Sequence, residues 1–136
     1  MTATAAALTF VWLGMVLGIS FIETPLKFRA PGITIPLGLG IGRLVFRALN
    51  AVELVLAVAI AVLLLASSST TTEVVVLLAV AGCLATQVIL VRPVLNRRTD
   101  RFLAGDVPPG SKVHLVYIAL EVVKIALLVA LGTVLL

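Results

Sequence analysis

His114, Tyr117, Glu121 and Lys124 interrupt an otherwise apolar stretch, VHLVYIALEVVKIALLVALGTVLL, which begins at Val113. A carboxylate or an ammonium at the centre of a bilayer costs about 2.5–3.5 kcal/mol each on insertion scales, so such residues are functional candidates by default. At 100° per residue the four side chains fall within ~80° of one another on a helical wheel, forming one narrow stripe. Arg43, Asn50 and Glu53 make a similar stripe within GRLVFRALNAVELVLAVAIAVLLLA. An opposite charge at equal depth offsets much of the burial cost, and Glu53 with Lys124 is such a pair. Glu121 lies one turn from Lys124, which leaves two carboxylates for one ammonium. Such a site is expected to hold a proton near neutral pH.

The elements that must position these residues follow from composition. The chain has 136 residues, of which 62% are hydrophobic and 12% charged, and its mean hydropathy is +1.29. Soluble domains are about 45–50% apolar and about 25% charged, so the solvent for this chain is lipid. A length of 136 residues predicts one transmembrane domain. Four continuous apolar runs predict spans over about 5–23, 42–66, 74–92 and 113–134. A β-barrel would instead alternate with period two. The expected fold is therefore an all-α, four-helix transmembrane bundle. MTATAAALTF carries no basic residue before its apolar run, so it is expected to be a first span and not a cleaved signal peptide. Spans one and three are expected to close at Thr24-Pro25 and Arg92-Pro93, because a residue before proline is biased out of the helical region. Glycines 38, 40 and 42 predict a flexible or re-entrant stretch before span two.

Charge sets the orientation. Lys27, Arg29, Arg43 and Arg47 lie between spans one and two, and Arg92, Arg97, Arg98, Arg101 and Lys112 between spans three and four. The remaining connection, SSSTTTE, has no positive residue. The positive-inside rule makes the basic side cytoplasmic and places both termini on the extracytoplasmic side of the inner membrane of the cell. The same residues suit contact with anionic lipid headgroups, and the net charge of +4 is a topology signal, with no nucleic-acid partner implied. NRRTDR reads as a helix end solvated at the headgroups.

Depth brings the polar residues together. Ala66 lies thirteen residues after Glu53, and the chain runs twelve past Lys124, so both sit about 20 Å below the outer boundary. Gln87 reaches this layer from span three, and Ser20 and Glu23 approach it from span one. The candidate binding set is Glu53, Glu121 and Lys124, with Glu23, Asn50, Gln87, His114 and Tyr117 around them. Cys83 is the lone cysteine, so no disulfide or CxxC site exists. No spacing points to a catalytic nucleophile, a metal or a particular cofactor, and the balance leans away from an enzyme. Gly14 and Gly18, and the stripe Ala79, Cys83 and Thr86, are small-residue surfaces for packing within the bundle or between copies in a homo-oligomer.

The two hairpins also look like a tandem repeat. GMVLGISFIETP aligns with GCLATQVILVRP, and ALNAVELVL with ALEVVKIAL, which superposes Arg43, Phe46, Asn50 and Glu53 on His114, Tyr117, Glu121 and Lys124. Such a repeat would be parallel, about an axis along the membrane normal.

Two resemblances add to this. RALNAVE, Arg47 to Glu53, resembles a signature of the membrane-associated eicosanoid and glutathione (MAPEG) superfamily, with one residue fewer between arginine and asparagine. That resemblance implies a trimer of four-span subunits and a glutathione- or lipid-dependent transferase. FIETPLKFRAPGI, LATQVILVRPVLNRRTDRFLAG and KVHLVYIALEVVK together are similar to an uncharacterised family of small four-span membrane proteins, which implies the topology and no particular chemistry. A third possibility is a non-catalytic subunit of a larger membrane complex. The primary expectation is a membrane protein whose buried polar site opens to the cytoplasm and binds or conducts a proton, ion or small polar solute.

The orientation is checked by labelling. With Cys83 replaced by alanine, Ser68→Cys should react with an impermeant maleimide added to intact cells, and Arg97→Cys should not. The reverse pattern would overturn the assignment of sides.

Overall fold

The structure is a computed structural model, and it describes residues 2–105 and 112–136. Those residues are helical throughout their regular structure, with no strand among them. The order is α1 (Thr2–Val16), a π-helical stretch (Leu17–Glu23), α2 (Thr24–Lys27), α3 (Ile35–Leu65), α4 (Thr71–Thr86), a second π-helical stretch (Gln87–Val91), α5 (Arg92–Leu103) and α6 (Val113–Leu135). Continuous helix joins these into four segments, Thr2–Lys27, Ile35–Leu65, Thr71–Leu103 and Val113–Leu135, each long and apolar enough to cross a membrane. The chain is therefore a multi-pass helical membrane protein.

Several boundaries differ from expectation, each for a local reason. Span one does not stop at Thr24, whose backbone is helical at φ −59° and ψ −51°. Proline in a helix interior lacks an N–H and collides with the carbonyl four residues back. Here the ladder opens by one residue just before each proline. The Thr24 N–H reaches the Ile19 carbonyl, and the Arg92 N–H reaches that of Gln87. Both helices then run on past Pro25 and Pro93. Span two begins at Ile35, not near Gly42, and the glycine-rich stretch is regular helix. Thr34 caps it by accepting from the Leu37 N–H, and Pro36 falls in the first turn, where its missing N–H has no intrahelical partner to lose. Gly38 is buried against the Phe28 ring. Span three starts at Thr71, because Thr70 and Glu73 close a reciprocal capping box at 3.2 and 3.1 Å.

The bundle has two unlike ends. At one, α1, α3, α4 and α6 close a dry core around Trp12, Val16, Ile60, Leu64, Val80, Leu84, Leu128 and Leu131. There α6 packs against both α1 and α4, and Gly132 lets the Phe10 ring approach, so that a Cβ would meet it at 2.6 Å. At the other end, which carries the basic residues, α5 projects as a polar extension of span three. Arg43 Nη2 and Asp100 Oδ1, 2.7 Å apart, tie α3 to α5. NRRTDR forms part of α5 and buries none of its residues. Gly14 and Gly18 do not mediate packing within the bundle, since no heavy atom lies within 4 Å of a Cβ built on either.

The Gly132 contact yields a prediction. Gly132→Val should lower stability by about 1–3 kcal/mol through overpacking, and adding Phe10→Ala should recover most of the loss. Thermal unfolding in detergent measures both. A Gly132→Val protein as stable as the native one would show that the partly exposed Phe10 ring swings clear without cost.

Candidate functional site

Lys124 is fully buried, yet each N–H of its ammonium has an acceptor. Its Nζ lies 2.5 Å from Glu53 Oε2 on α3, 2.6 Å from Glu121 Oε1 one turn earlier on α6, and 2.9 Å from Gln87 Oε1. An ammonium has three donors and no acceptor capacity, so its valence here is filled. Glu53 and Glu121 are 0% and 1% exposed. The Trp12 indole N–H donates to Glu53 Oε2 at 2.8 Å, and the Ser20 hydroxyl donates to Glu121 Oε2 at 2.8 Å. The Gln87 amide makes longer bonds, 3.4 Å each, to Glu121 Oε1 and the Tyr117 carbonyl.

All four spans thus meet at one level. Ser20 and Gln87 both lie in π-helical stretches, and both hydrogen-bond to Glu121. Such stretches are frequent at functional sites because the extra residue re-aims the side chains around it. In this chain they turn a hydroxyl and an amide inward just ahead of each proline.

Next to this cluster, at the basic end, is a cavity of about 690 Å³. Ser20, Tyr117 and Glu121 line it together with Phe21, Phe28, Phe46 and Phe102. Arg92, Arg98 and His114 also line it. Phe46 and Tyr117 meet edge to face at 5.8 Å. The Arg92 guanidinium lies 4.5 Å from the Tyr117 ring centroid and 4.9 Å from that of Phe46, a cation–π arrangement.

The sequence-derived candidates separate in space. Glu53, Glu121, Lys124 and Gln87 converge. Asn50 is buried one turn from Glu53, and neither its Oδ1 nor Glu53 Oε1 has a hydrogen-bond partner among the described residues. Tyr117 is buried in the cavity wall, whereas His114 is exposed on the same helix. Glu23 stands apart from the cluster and pairs with Lys27 at 3.7 Å. Within RALNAVE, Arg47 is exposed while Asn50 and Glu53 are buried.

Two participants escaped the sequence argument. Trp12 reads as apolar filling, although a buried indole N–H needs an acceptor, and that need is the signal that finds it. Arg92 counts as a topology charge by position, and only its place between two rings gives it a second role. The chain matches no family model, no curated protein and no solved structure.

The shared ammonium has a thermodynamic consequence. Lys124→Met should destabilise the protein by about 3–5 kcal/mol, since removing one partner orphans buried charge. Pairing it with Glu53→Leu alone should not restore stability, because Glu121 also rests on Lys124. The triple variant Glu53→Leu, Glu121→Gln, Lys124→Met should return close to native stability in a detergent melt. Full recovery in the double variant would mean that Glu121 either does not share the ammonium or is neutralised by a proton once Lys124 is gone.

Proposed function

We propose that the protein is an inner-membrane protein whose buried cluster binds an exchangeable proton and communicates with the cytoplasm through the basic-end cavity. One observation carries the reading: Lys124 Nζ lies within 2.6 Å of oxygens from two different carboxylates, Glu53 and Glu121. Two carboxylates against one ammonium leave one negative charge in a site without bulk water. A proton neutralises it at the smallest steric demand. Glu121 is the exchangeable group, because it alone of the three lines the cavity. Glu53 is held on the far side by Lys124 and Trp12. The positive-inside distribution supports a cytoplasmic mouth and outward termini.

A tandem origin of the two hairpins accords with this arrangement. Both odd-numbered spans carry a π-helical stretch immediately before an X-Pro step. Glu53 and Lys124, equivalent in the aligned repeats, touch each other, as residues beside a two-fold axis do. Duplication followed by divergence would then have turned one residue pair into an acid and a base.

Glu121→Gln keeps the shape of the side chain but exchanges one accepting oxygen for an NH2 donor and cannot take up a proton. In proteoliposomes holding a trapped pH dye, the native protein should speed the decay of an imposed proton gradient beyond that of protein-free vesicles. The Glu121→Gln protein should melt as the native one does and return the decay to the protein-free rate. A folded variant that carries protons as fast as the native chain would refute the assignment.

A further inference from the structure

A proton site does not require a 690 Å³ chamber. Cavities of about 300–1,000 Å³ with apolar walls and few polar groups hold organic molecules of drug-like size. Four phenylalanine rings line this one, which suits an apolar body and not a hydrated ion.

The polar groups on the wall identify the other half of the ligand. The Arg92 Nε–H and the Tyr117 hydroxyl are buried with no hydrogen-bond partner among the described residues. Tyr117 is only 5% exposed. Arg92, beside it, can only donate, so the phenol O–H lacks an acceptor. Buried donors left unmade are costly; both residues line the cavity, and a rotation of each side chain toward it would bring its donor onto a ligand oxyanion. Glu121, the carboxylate in the lining, does not offset this, since its oxygens are engaged by Lys124, Gln87 and Ser20. Among the described residues the cavity therefore presents unmet donors and positive charge, and no free carboxylate for a cation.

We propose that the cavity binds an amphipathic organic anion, with its single carboxylate or phosphate on Arg92 and Tyr117 and its apolar body among the phenylalanines. The inference names the solute class for the proposed proton site and rests on that reading only for the coupling of the two. An anion seated here lies close to the charged cluster, so its arrival favours the protonated cluster by simple Coulomb repulsion. Binding is tested apart from proton flux, and failure of either leaves the other result standing.

The probe is tritiated laurate, bound to tagged protein in a non-ionic detergent and read by scintillation proximity. Dodecyl phosphate should displace it at a similar concentration. Dodecanol and dodecyltrimethylammonium should need at least about tenfold more, given the strength of charge-assisted hydrogen bonds. Inorganic phosphate alone should not displace it. Arg92→Gln should weaken binding by about tenfold or more, and Tyr117→Phe, which keeps the ring, by about three- to tenfold. Displacement by dodecanol or the quaternary ammonium as effective as that by dodecyl phosphate would overturn the headgroup assignment. Displacement by inorganic phosphate would overturn the role of the apolar wall. Native binding in a Tyr117→Phe protein with an unchanged melt would also overturn the proposal, as would a native protein that binds no laurate.

Discussion

A lysine ammonium buried among three helices constrains everything around it. Taking an ion out of water costs several kcal/mol even after relaxation, and only close geometry with filled hydrogen-bonding valence offsets this. Lys124 meets that condition through Glu53, Glu121 and Gln87. Those acceptors stand on α3, α6 and the π-helical stretch after α4, so the contact sets the depth and rotation of three spans at once. Trp12 and Ser20 bring in the first span by donating to the two carboxylates. In lipid no hydrophobic force drives helices together, which gives this polar knot unusual weight in defining register.

The two π-helical stretches extend the same constraint into the backbone. A proline near the end of a membrane helix ordinarily breaks or kinks it. Here the ladder widens first, and the helix continues beyond Pro25 and Pro93. The widened turns contain Ser20 and Gln87, the residues that reach Glu121 from spans one and three. Helix continuation also carries α5 beyond the apolar region and puts Arg92 over the Phe46 and Tyr117 rings. Backbone irregularity, charged cluster and cavity wall are thus consequences of one local arrangement, repeated in two spans.

Much of this architecture was legible in the residues. Apolar run length identified four spans because the bilayer leaves so little choice of element. Counting residues from the outer ends of spans two and four places Glu53 and Lys124 at one depth, and they do meet. Gln87 joins them by its place in the inner half of span three. The helix ends at proline were misplaced because the rule for the residue before proline says nothing of a ladder that shifts register. The glycines before Arg43 suggested irregularity, but Thr34 and Pro36 start a helix there and Phe28 fills the space beside Gly38. Glu23 was grouped by depth alone, and rotation about the helix axis gives it to Lys27 instead. The cavity had no signature, since it is made of side chains from four separated segments.

The bundle therefore divides its length between an apolar half that holds the helices together and a half that keeps a buried charge beside an open cavity. In that second half one ammonium serves two carboxylates. Solid-state NMR on protein in lipid, with the lysine Nζ and glutamate Cδ isotopically labelled, measures this directly. Lys124 should give an ammonium resonance with through-space contacts to two carboxyl carbons, one lost in Glu53→Gln and the other in Glu121→Gln. A contact to a single carboxyl carbon, or a neutral amine resonance, would contradict the account.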